Sequence, residues 1–142
     1  MNAQANVTSE RLLRRTLWGN AVFSVVSGAG LVLFATPFAA AASVESISVL
    51  GLDLALLFEL LGVGVIAFGG ACAWVASRDS LPRGWAQAIF AADIAWVLAS
   101  LVVMALPASW TMAGFAGIAV LALIVADLAV LEYLGLRRLA SR

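Results

Sequence analysis

The stretch WAQAIFAADIAWVLASLVVMAL, residues 85–106, is apolar along almost its whole length and contains one acidic residue, Asp93. At 1.5 Å per residue, a helix of this length measures about 33 Å and crosses the hydrocarbon core of a bilayer. A charged carboxylate at such a depth costs about 3 kcal/mol or more unless it is paired or protonated. The stretch therefore predicts a membrane-spanning helix and marks Asp93 as a candidate functional residue.

The composition of the chain indicates further helices of the same kind. Of its 142 residues, 64% are hydrophobic and 11% are charged, whereas about a quarter of the residues in a soluble domain are charged. Three more apolar segments lie at residues 16–42, 54–76 and 111–134. Because lipid offers the backbone no hydrogen-bond partners, each segment is expected to be helical. Short connections favour antiparallel neighbours, so the prediction is an all-α, four-transmembrane-helix up-down bundle that forms one domain over residues 1–142.

Two local features modify this prediction near the end of the first segment. Pro37 is expected to end or kink the helix, because proline lacks a backbone N–H. Residues 44–52 are expected to form a short amphipathic piece at the membrane surface. A cleaved signal peptide is the competing interpretation of the first segment, but its apolar region is far longer than the usual 7 to 15 residues or so.

The basic residues indicate how the helices are threaded. All eight are arginines, and they lie before the first segment, between the second and third, and after the fourth: Arg11, Arg14, Arg15, Arg78, Arg83, Arg137, Arg138 and Arg142. The two remaining connections, residues 43–53 and 107–110, contain none. Since cytoplasmic loops are enriched in arginine and lysine, both termini and the middle loop are predicted to be cytoplasmic.

Several classes of function are disfavoured by what the chain lacks. Its formal net charge is zero, so it offers no basic face to nucleic acid. It has no histidine and a single cysteine, Cys72, so it cannot by itself build a bis-histidine haem site or a CxxC redox pair. No nucleophile–base pair or metal-ligand cluster is recognisable. The pattern favours a non-enzymatic protein, and no catalytic residue, metal ligand or cofactor is assigned.

The polar residues of the predicted helices form the candidate site. Asp93 and Asp127 lie about 12 Å and about 10 Å from the cytoplasmic ends of their segments, so they are predicted to share one layer. Asn20 and Ser24 stand on one face of the first helix at a matching depth and are natural hydrogen-bond partners for both carboxyls. The predicted solute- or proton-binding residues are these four together with Trp96 and Glu59.

Two acids are predicted to lie nearer the membrane surfaces than this layer. Glu59 is expected about 9 Å below the outer surface. Glu132 lies near the inner interface, where it is predicted to pair with Arg137 or Arg138. Glu59 is counted with the binding residues, whereas Glu132 is assigned a structural ion pair.

The buried acids allow several interpretations. In the first, Asp93 and Asp127 are protonated and only hold the helices in register. In the second, they bind or move a cation or proton, as in a proton-coupled transporter. In the third, Asp93 binds the polar head of a lipid, quinone or pigment beside Trp96. In the fourth, the chain is an accessory subunit of a larger membrane complex.

The leading hypothesis is a membrane protein that binds a small solute, cation or lipid at the layer of Asp93 and Asp127. Its expected partners are the lipid bilayer and either further copies of the chain or a larger membrane complex. A homo-oligomer is expected because four short helices can scarcely enclose a transport pathway.

Three stretches carry a resemblance to a known family: RRTLWGNAVFSVVSGAG at residues 14–30, ADIAWVLAS at 92–100 and EYLGLRR at 132–138. Together they resemble small bacterial four-helix integral membrane proteins of the DoxX-like kind. The resemblance implies a four-helix fold located in the bacterial inner membrane, and it implies no particular activity.

Overall fold

The computed structural model describes residues 2–106 and 110–140 and is almost entirely helical. Within these ranges lie helices α1 (Asn2–Leu33), α2 (Ala35–Ala42), α3 (Leu54–Ala76), α4 (Arg83–Ala105) and α5 (Met112–Ala140), and the short strands β1 (Ser48–Val49) and β2 (Leu52–Asp53). The predicted all-α class is therefore confirmed. Four of the described helices, all but α2, are long and apolar enough to cross a membrane. This composition fits a multi-pass membrane protein.

The first apolar segment is interrupted, and the interruption has a simple cause. Phe34 and Phe38 donate backbone hydrogen bonds of 2.9 Å to Gly30 and to Phe34, respectively. Between them, Pro37 has no N–H to donate to the carbonyl of Leu33, and its ring crowds that carbonyl. The helix therefore ends at Leu33 and α2 continues beyond the break. The segment expected over residues 16–42 is thus two helices, and the first already begins at Asn2.

The connection between α2 and α3 forms a hairpin where the sequence predicts a short amphipathic piece. Strands β1 and β2 pair antiparallel around Leu50 and Gly51, whose φ angles are 55° and 81°. Positive φ at both central residues is characteristic of a type I′ turn, one of the two favoured two-residue hairpin turns. The Asp53 side chain then accepts a 2.8 Å hydrogen bond from the backbone N–H of Leu56 and caps α3. Of the other predicted outer connection, residues 107–109 lie outside the described part of the chain, as does Arg142.

Neighbouring helices run antiparallel. Gly28 of α1 faces Gly62 of α3, and Ala21 faces Gly69, so the residue numbers run in opposite directions along the contact. Helix α5 is also antiparallel to α1. Leu13, in the first half of α1, packs on Gly135 near the end of α5, and Asn20, later in α1, bonds to Glu132, earlier in α5. Across the bundle the contacts follow the order α3, α1, α5, α4, while α3 and α4 make few contacts with each other.

The main cluster of buried hydrophobic side chains lies in the half of the bundle that contains the first part of α1. It is formed by the buried side chains of Leu13, Leu17, Ala21, Cys72, Val75, Ala76, Ala86, Ile89 and Leu136. Arg14 closes this end by donating hydrogen bonds to the carbonyls of Ala76 at 2.5 Å, Arg78 at 2.6 Å and Asp79 at 3.2 Å. A guanidinium is well suited to the carbonyl end of a helix, since it satisfies several unpaired acceptors and complements the helix dipole.

The closest approach between α1 and α3 is at two glycines. A Cβ placed on Gly62 would lie 2.7 Å from the carbonyl oxygen of Gly28, and a Cβ on Gly28 would lie 2.7 Å from the carbonyl oxygen of Gly62. The backbones therefore touch, as small residues allow in membrane helix pairs. Gly64 is a natural control on the same helix, because a Cβ there would meet nothing within 4 Å.

Gly62→Ala is expected to destabilise the bundle, because its methyl group collides with backbone atoms that cannot rotate away. Overpacking of this kind costs about 1–3 kcal/mol. Thermal unfolding in detergent, followed by circular dichroism, should show a lower midpoint for Gly62→Ala than for wild type. Gly64→Ala should unfold at or above the wild-type temperature, since alanine favours helix over glycine. Equal midpoints for the two variants would contradict the close packing.

Candidate functional site

A buried amide connects three helices inside the bundle. Asn20 of α1 is 1% exposed, and its Nδ2 donates to Asp93 Oδ2 of α4 at 2.6 Å and to Glu132 Oε1 of α5 at 3.1 Å. Its Oδ1 accepts a 3.1 Å hydrogen bond from Ser24 Oγ, one helical turn away. A primary amide has two N–H donors, and Asn20 uses them on two different helices. We call Asn20, Ser24, Asp93 and Glu132 the carboxyl cluster.

The two acids of the carboxyl cluster also contact each other. Asp93 and Glu132 lie within hydrogen-bonding reach of each other, and a hydrogen bond between two carboxyl groups would need a proton on one of them. Both residues are buried, with 3% and 0% exposure. Among the described residues, Glu132 Oε2 is buried with no hydrogen-bond partner. The cluster therefore places two carboxyl groups side by side in a water-poor interior.

Asp127 is not part of this layer, contrary to the sequence prediction. Its side chain is exposed on α5, whereas Val125, Ala129 and Glu132 of the same helix are buried. The prediction matched Asp127 to Asp93 by depth and did not determine the direction of the side chain. Asp127 follows Val125 by two residues, so on an α-helix its side chain is rotated by about 200° about the helix axis from that of Val125. Asp127 therefore faces away from the other helices.

Glu132 occupies the place that was predicted for Asp127. The sequence interpretation gave Glu132 an ion pair at the membrane edge with Arg137 or Arg138, but the structure buries it against Asn20 and Asp93. A signal for this position is present in the sequence. The small residues Ala122 and Ala129 lie on the same helical face as Glu132, and a face of small residues is typical of a helix contact in a membrane.

The other predicted site residues are divided between the interior and the surface. Asn20 and Ser24 are buried beside Asp93, where the sequence places them. Trp96 is partly buried, one turn along α4 from Asp93, and its indole Nε1 is buried with no hydrogen-bond partner among the described residues. Glu59 is exposed on α3 and lies apart from the carboxyl cluster.

A cavity of about 320 Å³ lies beside the carboxyl cluster. Its wall is almost wholly apolar and comes from four helices. The lining residues are Phe23, Ser24, Ser27 and Leu31 of α1, Leu60, Leu61, Gly64, Val65 and Phe68 of α3, Ala92, Asp93 and Trp96 of α4, and Leu121 and Val125 of α5. It fills the space left between α3 and α4, which make few contacts with each other. The lining thus combines a mainly apolar wall with one acid, Asp93, one tryptophan, Trp96, and the hydroxyl residues Ser24 and Ser27.

The cavity is better suited to an organic molecule than to a metal ion. Among the described residues, no group of three or more histidine, cysteine or acidic side chains is arranged to hold a metal. An apolar wall with few polar groups is the usual composition of a small-molecule pocket, and such pockets start at about 300 Å³. The cavity is at the small end of this range.

The chain matches no protein-family model, no curated protein and no solved structure. The DoxX-like resemblance of residues 14–30, 92–100 and 132–138 therefore stays a prediction. The geometry of the carboxyl cluster and of the cavity is what bears on function.

Asn20→Leu is expected to lower stability more than the removal of an ordinary polar group. Leucine resembles asparagine in size but leaves Asp93 and Glu132 without their shared donor. Each buried polar group left without a partner costs about 1–3 kcal/mol. Ser27→Ala is the matched control, because the Ser27 hydroxyl bonds only to carbonyls of its own helix. Thermal unfolding should show a clear fall for Asn20→Leu and a small change for Ser27→Ala; equal changes would rule out the bridging role.

Proposed function

We propose that this chain is a four-pass protein of the bacterial inner membrane that binds a lipid-like molecule in the cavity between α3 and α4. In this proposal both termini and the Arg78–Arg83 loop are cytoplasmic. The positions of the arginines support this threading, since Arg14 binds the carbonyls of Arg78 and Asp79. Arg137 follows Gly135, which packs on Leu13 at the same end of the bundle. The positive residues therefore gather at one end, as a cytoplasmic face requires.

The observation that supports the proposed ligand is an apolar cavity whose lining includes Trp96 and Asp93. Trp96 lines the cavity, and its buried Nε1 lacks a hydrogen-bond partner among the described residues. Asp93 lines the same cavity while it bonds to Asn20 on its other side. Buried polar groups are seldom left unpaired, because an unmade hydrogen bond in a dry interior costs free energy. An oxygen atom on a bound molecule would supply the missing acceptor.

The chemistry of these groups defines the class of ligand. The Trp96 indole can only donate, so the ligand needs an acceptor oxygen. Asp93 accepts, and it also donates when it is protonated. An uncharged hydroxyl or carbonyl satisfies both residues, and an aliphatic chain or ring fills the wall of Leu61, Val65 and Phe68. A volume of about 320 Å³ admits part of a single-chain amphiphile or one quinone ring, and it is small for a pigment macrocycle.

Photo-labelling of the protein in liposomes tests this proposal. A long-chain alcohol that carries a diazirine should label residues of α3 and α4 that line the cavity. Trp96→Phe should reduce labelling about threefold to tenfold, the equivalent of one lost hydrogen bond. Gly64→Leu should nearly abolish it, because Gly64 lines the cavity and has free space around its Cβ position.

Gly70→Leu is the control for the occlusion of the cavity. Gly70 lies on the same helix and also has free space around its Cβ position, but it does not line the cavity. It should therefore keep wild-type labelling. Equal labelling of the Gly64→Leu and Gly70→Leu variants would refute a site in the cavity. That result would favour the alternative in which the acids serve only helix packing within a larger complex.

Proton-coupled transport is a second candidate, and the adjacent positions of the two buried acids Asp93 and Glu132 favour it. A solute that bound one carboxyl would displace its proton, and the Glu132 Oε2 acceptor offers it a second position. Liposomes loaded with a pH-sensitive dye should then show a proton flux that depends on added amphiphile. Asp93→Asn should abolish this flux, because an amide cannot release a proton. Absence of flux in wild-type liposomes would eliminate this candidate while leaving the binding proposal intact.

A further inference from the structure

Asp127 lies in an unfavourable position for a single copy of the chain. It is exposed on α5 and makes no hydrogen bond or ion pair with any residue that the structure describes. Along the helix it lies about 22 Å from Met112 and about 15 Å from Arg137. If α5 spans the bilayer as proposed above, the carboxyl faces hydrocarbon. Its short side chain cannot reach either interface.

Glu59 shows that exposure alone does not imply a partner. It is also exposed on its helix, but it lies only about 8 Å from Leu54 at the outer end of α3. A longer side chain at this depth can extend to the membrane surface. Asp127 is therefore the acid whose position requires a group from outside the described chain.

The residues around Asp127 form a regular exposed stripe. The stripe consists of Ala113, Gly117, Val120, Ile124, Asp127 and Leu131, all exposed, and we call it the α5 outer face. The residues alternate at spacings of four and three along the sequence. This is the repeat by which two helices pack along a left-handed crossing. On the opposite side, the buried positions Ala122, Val125, Ala129, Glu132 and Leu136 face the bundle with similar spacing.

We propose that the α5 outer face binds a second copy of this chain, with Asp127 hydrogen-bonded to Asp127 of that copy. The proposal depends on the membrane-spanning arrangement proposed above and is independent of the ligand in the cavity. Copies inserted in one membrane share one orientation, so a two-fold axis along the membrane normal aligns their α5 helices in parallel. In such an isologous contact each residue on the axis meets its own equivalent.

A second copy is the partner that best matches the chemistry of this face. A carboxyl group that carries a proton both donates and accepts a hydrogen bond, so it is complementary to another carboxyl. Ala113 and Gly117 occupy the outer end of the face, and small residues allow two helix backbones to approach closely. The interface would remove the unpaired carboxyl from lipid without needing a basic residue at that depth.

Cysteine cross-linking of the full chain in liposomes tests the location of the contact. Ile124→Cys should give a disulfide-linked dimer on mild oxidation. Leu101→Cys on α4 is the matched control for depth, because Leu101 and Ile124 each lie eight residues outward from the bonded pair Asp93 and Glu132. Leu101 is 55% exposed, so it is equally open to chance collisions. The native Cys72 is fully buried, and the unsubstituted chain provides the background.

The role of Asp127 is tested by dimer affinity, measured by energy transfer between donor- and acceptor-labelled copies at increasing dilution in lipid. Asp127→Leu should weaken the dimer about tenfold, the effect expected from an interhelical hydrogen bond in a membrane. Asp127→Asn should retain most of the affinity, because an amide also donates and accepts. Glu59→Leu, a similar change on α3, should leave the affinity unchanged.

Two results would overturn the proposal. The first is cross-linking of Ile124→Cys no stronger than that of Leu101→Cys. The second is an unchanged dimer affinity in Asp127→Leu. Photo-labelling of the cavity in the same liposomes separates this proposal from the proposed ligand site. Asp127→Leu should keep full labelling, and Gly64→Leu should keep full dimerisation.

Discussion

The amide of Asn20 is the group on which the arrangement of the bundle depends. Its two N–H groups bind acids from α4 and α5, and its oxygen accepts from Ser24 on its own helix. These bonds set the rotation and height of α1 relative to α4 and α5. In hydrocarbon the hydrophobic effect does not discriminate between one helix contact and another, so such directional bonds and close packing decide which faces meet.

Helix α3 is attached to the bundle in a different way, and this difference creates the cavity. It touches α1 at Gly28 and Gly62 and is held at its carbonyl end by Arg14. No residue of α3 contributes to the carboxyl cluster. Helices α3 and α4 therefore attach to α1 and α5, respectively, and separate beyond the short connection between them. The space that remains between them is lined by Asp93 and Trp96.

Two acids on α5 illustrate two ways of placing a carboxyl at membrane depth. Glu132 is buried within the chain, where the Asn20 amide donates a hydrogen bond to its Oε1 and Asp93 lies beside it. Asp127 finds no such group among the described residues and faces outward. A buried pair of acids that shares one proton carries less charge than two carboxylates, and this reduces the cost of removing the pair from water.

The predicted partner of Asp93 is found in Asn20, because Asn20 lies at the depth of Asp93. Ser24, on the same face of α1, donates to the Asn20 side chain and not to a carboxyl. The prediction of the polar layer was wrong for Asp127 and overlooked Glu132 because depth alone does not give the rotation of a helix. Glu132 is close to Arg137 and Arg138 in sequence, and this proximity predicts a local ion pair. Only the packing of α5 on α1 and α4 shows that its side chain turns inward.

The apolar segments and the scarcity of charge determined the helical class without reference to tertiary structure, because a backbone in lipid must satisfy its own hydrogen bonds. Pro37 likewise marked the break after Leu33, since a missing N–H acts within one helical turn. The bridge from Asn20 to Asp93 and Glu132 was decided only by tertiary structure. It joins residues separated by 73 and 112 positions in the chain, and their meeting depends on how each helix is rotated about its own axis. That rotation is set by contacts with neighbouring helices, so it cannot be determined from the sequence of one helical segment alone.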